Sequence, residues 1–176
     1  MTSSAKSLAT LGFLTVVEDA DLGLLGGYLL LNAAGRPLEF HCTAPVKPTR
    51  AQEILYGSTL RPYLYGEQIG QTLLLKSKLT PVLVCTDSEP VLAARDQTQI
   101  PLALVLADDE QPASGSKGLH RLLLGKCEVC LPAPYATDER TIREQWPAQA
   151  DHLDLLEPFA RIREALEEAQ KSARAA

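Results

Sequence analysis

A carboxylate that follows an apolar run is the first place in this chain where chemistry could sit. Pro81-Val82-Leu83-Val84-Cys85-Thr86-Asp87-Ser88 reads as a buried strand that delivers Asp87 to its carboxyl tip. In open α/β sheets that edge is where ligands bind. An aspartate followed by Ser88 and Glu89 is also what caps a following helix, so the residue has a structural use as well as a chemical one. A second candidate is Cys127-Glu128-Val129-Cys130, which has zinc-knuckle spacing. One C-x-x-C is half a site, because structural zinc takes four ligands. Cys42 with His41, Cys85 and His120 are the remaining donors, each isolated in sequence. The expectation is therefore unmetallated thiols that serve as small buried hydrophobes. A redox role is disfavoured too, since this C-x-x-C leads into Leu131-Pro132 and not into a helix. The third candidate is basic and aromatic: Arg61, Tyr63 and Tyr65, with Tyr56 nearby, at the start of a helix. Such a cluster stacks a base, binds a partner peptide or anchors the helix end to a sheet.

Other chemistries lack their residues. No G-x-S-x-G and no phosphate-binding glycine loop is present in the sequence. His41 and Cys42 are adjacent in a predicted strand and so point to opposite faces.

The 176 residues suffice for one well-buried core and are short for two domains. Aromatics are only 5 %, so the core must be built from Leu, Val, Ile and Ala. The net charge of −5 lies wholly in the second half: residues 1–88 carry seven basic and seven acidic side chains, residues 89–176 ten and fifteen. That is no footprint for tight nonspecific nucleic-acid binding, which needs a basic face. No run approaches a membrane span, and Leu8–Val17 is broken by Gly12 and Thr15, unlike an export signal. Four unevenly spaced cysteines make no disulfide framework. These features predict a cytoplasmic protein with reduced thiols and no membrane contact.

The elements that must position the candidates follow from periodicity. Residues 1–10 are small and polar and read as a flexible lead-in to a domain at 11–176. Phe13–Val17 reads as a first strand and Tyr28–Asn32 as a second, with Gly26-Gly27 supplying a bulge or a positive φ before it. Gly35 suits the left-handed position of a hairpin loop. Pro37 can start a third strand, in which Leu38, Phe40 and Cys42 share one face and Glu39 and His41 the other. Thr49-Arg50-Ala51-Gln52 has capping-box spacing for a helix through Tyr56, stopped by Gly57. Thr59 is placed to cap a second helix to about Lys76, striped by Leu64, Ile69, Leu73 and Leu74, with Gly66 and Gly70 packing closely on the sheet. Pro81–Cys85, a Ser88-capped helix over Glu89–Gln97 and Pro101–Leu106 form a parallel β-α-β unit. His120–Leu124 is an edge strand that Cys127–Cys130 extends; residues 131–150 read as irregular, with a helical turn near Ile142. Asp154-Leu155-Leu156-Glu157 caps a final amphipathic helix with Leu155, Phe159, Ile162 and Leu166 on one face. The predicted fold is a single α/β domain: a mixed sheet with N-terminal hairpin strands, a parallel β-α-β unit and a C-terminal amphipathic helix.

This order, hairpin strands then helix, strand, helix, strand over residues 13–106, resembles the ribonuclease H-like superfold. Val84-Cys85-Thr86-Asp87-Ser88 is similar to its metal-binding fourth strand, and Gly27-Tyr28-Leu29-Leu30-Leu31 followed by Gly35 to its second strand and hairpin. The resemblance implies a phosphodiester-cleaving site in which Asp87, an acid of the first helix and an acid of the first strand hold Mg²⁺ or Mn²⁺. The helix acid would be Glu67, with Glu53 as competitor. The first-strand acid would be Asp19, which shares its turn with Glu18 and Asp21. Asp151 or Asp154 could add a late ligand, though Asp154 is better explained as a cap. Hard Mg²⁺ needs only two or three convergent carboxylates. A profilin-like or longin-like module is the other architecture this order allows. With no complete catalytic set in view, the leading expectation is a non-catalytic adaptor or subunit that binds another protein and needs no cofactor. Arg61, Tyr63 and Tyr65 are its candidate contacts. A metal-dependent nuclease or phosphoesterase is the alternative.

Overall fold

The first two strands each run for ten residues, because Leu, Val and Phe dominate both and no proline interrupts them. The computed structural model describes residues 8–113, 115 and 117–175. Strand β1 (Thr10–Asp19) turns through residues 20–22 into β2 (Gly23–Asn32), and β2 turns through Gly35, at φ 84°, into β3 (Pro37–Cys42). Both predicted strands are longer than the alternation suggested. The flexible lead-in expected over 1–10 falls mostly outside the described residues, and Thr10 itself pairs with Asn32. Gly26 and Gly27 make neither a bulge nor a positive φ: they sit in regular register opposite Val16 and Thr15. Their role is steric. A Cβ on Gly26 would lie 2.2 Å from Ile69 Cγ2 and one on Gly27 2.4 Å from Ile162 Cγ2, so bare backbone lets a helix settle on each face of β2. The bulge lies instead at Leu38, between the Leu30–Glu39 and Leu31–Pro37 pairs.

Helix α1 (Arg50–Tyr56) has the expected capping box: Thr49 Oγ1 accepts the Gln52 N–H at 3.1 Å and Gln52 Oε1 the Thr49 N–H at 3.0 Å. Gly57 ends it at φ 52°. A continuous helical segment, α2, spans residues 60–76: an α turn at Leu60–Pro62, a π-helical stretch at Tyr63–Gly70 and an α end at Gln71–Lys76. Thr59 does not cap it; its hydroxyl donates to the Tyr56 carbonyl at 2.7 Å. Gly66 and Gly70 pack not on the sheet but on the next helix, where a Cβ would meet Ala93 at 2.7 Å and Ala94 at 3.1 Å. That helix, Glu89–Gln97, is of the 3₁₀ type and has no Ser88 side-chain cap.

Strands β4 (Leu83–Thr86) and β5 (Leu102–Val105) run parallel to β1. Cys127–Cys130 does not extend the edge strand. It belongs to β7 (Cys127–Pro132), which forms a hairpin with β6 (Leu119–Leu124) and lies between β5 and β6. The result is one mixed seven-stranded sheet in the order β3-β2-β1-β4-β5-β7-β6. The helical turn expected near Ile142 is a two-turn helix, α3 (Asp138–Gln145), which buries Ile142, and α4 (Glu157–Ala175) follows. Helices cover both faces, so the apolar residues divide into two cores. Leu11, Phe13, Cys85, Leu122 and Leu131 meet α3 and α4 on one side. Leu14, Tyr28, Val84, Leu102 and Cys130 meet α2 and the 3₁₀ helix on the other. No helix among the described residues is long and apolar enough to cross a membrane.

Candidate functional site

The carboxyl ends of β1 and β4 gather the polar groups that the sequence singled out. β4 ends at Thr86, and Asp87 follows it at the sheet edge as predicted, with its side chain 17 % exposed. Parallel register sets Phe13 beside Cys85 and so brings Thr15, two residues on and on the same face, beside Asp87. The Thr15 hydroxyl donates to Asp87 Oδ1 at 2.6 Å, and Arg163, on α4, donates to Oδ2. Asp87 is thus held by a neutral donor from β1 and a cation from the C-terminal helix.

The acids expected to join it lie elsewhere. Asp19 closes the β1–β2 turn, accepting the N–H groups of Asp21 at 2.9 Å and Leu22 at 2.8 Å; these two bonds hold its carboxyl below the usual range. Glu67 lies on the exposed side of α2. The Tyr56 phenol is raised by its contact with Tyr63 first, then by desolvation and by the charges of Tyr63 and Glu67. Glu53 pairs with Arg50 at 3.1 Å on α1. Asp151 accepts the Trp146 indole N–H at 2.8 Å, and Asp154 accepts the Leu156 N–H at 2.9 Å ahead of α4. Among the described residues no three His, Cys, Asp or Glu side chains gather as a metal ion would require.

Beside this edge a second polar group has formed around Glu18, which strand periodicity had left in a turn. Its carboxylate accepts the Tyr65 hydroxyl and lies 3.1 Å from Arg61. The Tyr65 bond, helped by Arg61, keeps Glu18 below the ordinary glutamate range against the cost of desolvation. Desolvation, then the Glu18 bond, push the Tyr65 phenol upward. Arg61 stacks 4.9 Å over the Tyr65 ring. Tyr65 is buried, so two of the three candidate partner contacts, Arg61 and Tyr65, tie the start of α2 to β1. Together with Asp19, Leu24, Val46 and Leu64 they line a shallow cavity of about 260 Å³.

Tyr63 is different. It stacks on Tyr56 of α1 with ring centroids 4.3 Å apart. Helix α1 buries none of its residues, yet it carries Ile54 and Leu55, 66 % and 82 % exposed. A seven-residue helix is marginal alone. Here it stands on its capping box, the Arg50–Glu53 pair and the tyrosine stack, and it presents its apolar residues to solvent.

The cysteines are dispersed. Cys127 and Cys130 are three apart in β7 and so lie on opposite faces, packed in different cores. Cys85 is buried, but Cys42, expected to be a buried hydrophobe, is exposed. Sequence reasoning overlooked Thr15 and Arg163. Strand parity from Phe13 would have placed Thr15 on the α4 face, whereas no local signal marks Arg163. No protein-family model matches the chain, and comparison with curated proteins finds no match.

Proposed function

We propose that this chain is a non-catalytic module of ribonuclease H-like architecture that binds another protein through the corner formed by α1 and Tyr63. The observation that carries the reading is that no residue of α1 is buried and that Ile54, Leu55 and Tyr56 follow one another exposed along it. Contiguous exposed apolar residues mark interaction sites. A short amphipathic helix meets a partner best by laying its apolar residues into a groove. The architectural part is supported by the strand sequence: three antiparallel strands, then β4 and β5 parallel to β1. A cytoplasmic location is the accompanying proposal, resting on four free thiols.

The surroundings of Asp87 favour this reading over metal-dependent cleavage. Thr15 occupies the β1 position nearest Asp87, and the Arg163 guanidinium supplies the positive charge that a divalent cation would bring. A photo-crosslinking residue placed at position 55 in cells of the source organism is expected to give one discrete protein adduct. Ile54→Asp should abolish it, and the same residue at position 123 should not produce it. Mg²⁺- or Mn²⁺-dependent cleavage of any nucleic acid, lost in Asp87→Asn, would reverse the assignment in favour of the enzyme.

A further inference from the structure

The edge strand β3 is exposed along a face that its sequence makes apolar. Phe40 and Cys42, opposite Leu29 and Gly27 of β2, share the face on which α4 packs, but α4 rests on β1 and β2; it is the end of α2 that touches β3, from its other side. Leu38 is 45 % and Phe40 38 % exposed. The free backbone groups are identifiable. The Thr43 N–H bonds to Gly26 O at 3.0 Å, so His41 and Glu39, at alternate positions, also bond inward to β2. Phe40 and Cys42 therefore direct their N–H and C=O groups outward. The Lys76 ammonium reaches Cys42 O at 3.3 Å, on that outer side. The bulge at Leu38 limits the open ladder to Glu39–Cys42.

We infer that this edge pairs with the β3 of a second copy, antiparallel about a two-fold axis through Phe40, to make one sheet continuous across two chains. Side-chain complementarity selects both the partner and the register. With Phe40 opposite Phe40 of the second copy, Glu39 faces that copy's His41 and His41 its Glu39. Opposite groups then meet on one face and apolar groups on the other. A shift by one step in either direction that keeps the faces matched sets Glu39 against Glu39, or His41 against His41. Only the Phe40-centred register is self-complementary, as a two-fold interface must be. Glu39 is already fixed for the role: it accepts His41 Nε2–H at 2.8 Å and the N–H groups of Lys78 and Leu79 at 3.2 and 3.1 Å.

Sedimentation equilibrium over a range of protein concentrations, with residue-resolved amide exchange on the same samples, tests the inference. A concentration-dependent dimer is expected, in which the outward amide of Phe40 exchanges more slowly as concentration rises. The amides of Glu39 and His41 are protected throughout. Phe40→Lys should weaken association about tenfold or more by setting like charges across the axis, and at concentrations where both proteins are monomeric it should melt close to the parent. Leu123→Lys, on the opposite edge strand, should leave association intact. A monomer at every concentration would overturn the inference. So would a dimer whose Phe40 amide stays unprotected or that survives Phe40→Lys. The α1 crosslink at position 55 is unaffected by either result.

Discussion

The two ends of the sheet show how differently one chain finishes its edge strands. At the β6 end charged side chains flank most of the strand. Arg121 pairs with Glu128 at 2.6 Å and reaches Gln111 at 2.7 Å, His120 meets Glu139 at 2.5 Å, and Arg143 donates to the Leu123 carbonyl at 3.4 Å. Helix α3 covers Leu122 and Leu124, and Leu123 is the one large apolar side chain β6 leaves exposed among the described residues. Charged side chains and a covering helix are how proteins keep edge strands from pairing. At the β3 end the Glu39–His41 pair lies on the half-buried face, and the outward face is Leu, Phe and Cys. The difference lies in what stands over the strand. Both edges carry a Glu–His pair and both are reached by a helix, β6 by α3, tied down beside it, and β3 by Lys76 at the end of α2, but the apolar side chains of β3 stay exposed.

That tie is where the comparison breaks most violently. Arg95 reaches α3 from the 3₁₀ helix through a two-pronged pair to Asp138, 2.8 and 3.1 Å long. It also donates to Thr98 O at 2.5 Å and lies 4.0 Å over the Tyr135 ring. Both side chains are nearly buried. Asp138→Ala leaves a guanidinium buried without its counter-charge, which costs about 3–5 kcal/mol. Urea unfolding should show that loss, and amides of β6 should open to exchange before those of β3. A loss within 1 kcal/mol would mean that α3 is held by Ile142 and apolar packing alone.

A smaller effect is expected where the covered part of the sheet meets the open part. Gly27→Ala places a methyl 2.4 Å from Ile162 Cγ2 and forces α4 away from β2, for about 1–3 kcal/mol. A side chain of any size at position 40, one strand over, meets no helix and should cost far less. Equal destabilisation at both positions, by thermal melting, would show that α4 reaches β3 after all.

The smallest effect concerns what the edges share. Glu39 is held below the usual glutamate range by its bond to His41, and Glu139 by its bonds to His120 and then Arg143. Each folded pKa lies below its unfolded value. The stability it contributes is therefore present above the unfolded value and is lost as pH falls through the folded one. Glu39→Gln and Glu139→Gln should each flatten the acid limb of a stability–pH profile slightly and to a similar degree. An acid limb unchanged by both would remove the two Glu–His pairs from the account of acid sensitivity.

Much of the architecture follows from local rules. Thr49 and Gln52 wrote the capping box of α1, Gly35 the hairpin, and the uninterrupted Leu83–Cys85 and Leu102–Val105 segments the buried parallel strands, because each signal acts within a few residues. The sequence also set Leu38, Phe40 and Cys42 on one face, but not whether that face would be covered. It proposed Asp87 as a strand-end carboxylate and could not supply its neighbours. Thr15 and Arg163 reach Asp87 from 72 and 76 residues away, through sheet register and helix docking. Periodicity is equally blind to what seats on a glycine. Gly26 and Gly27 read as a bulge until Ile69 and Ile162 arrive on opposite faces. Backbone propensity and apolar alternation are local and survive in the sequence. Burial, the pairing of charges and the openness of an edge are properties of surfaces that exist only once distant segments have packed, and those decided which residues of this protein face solvent and which were already satisfied.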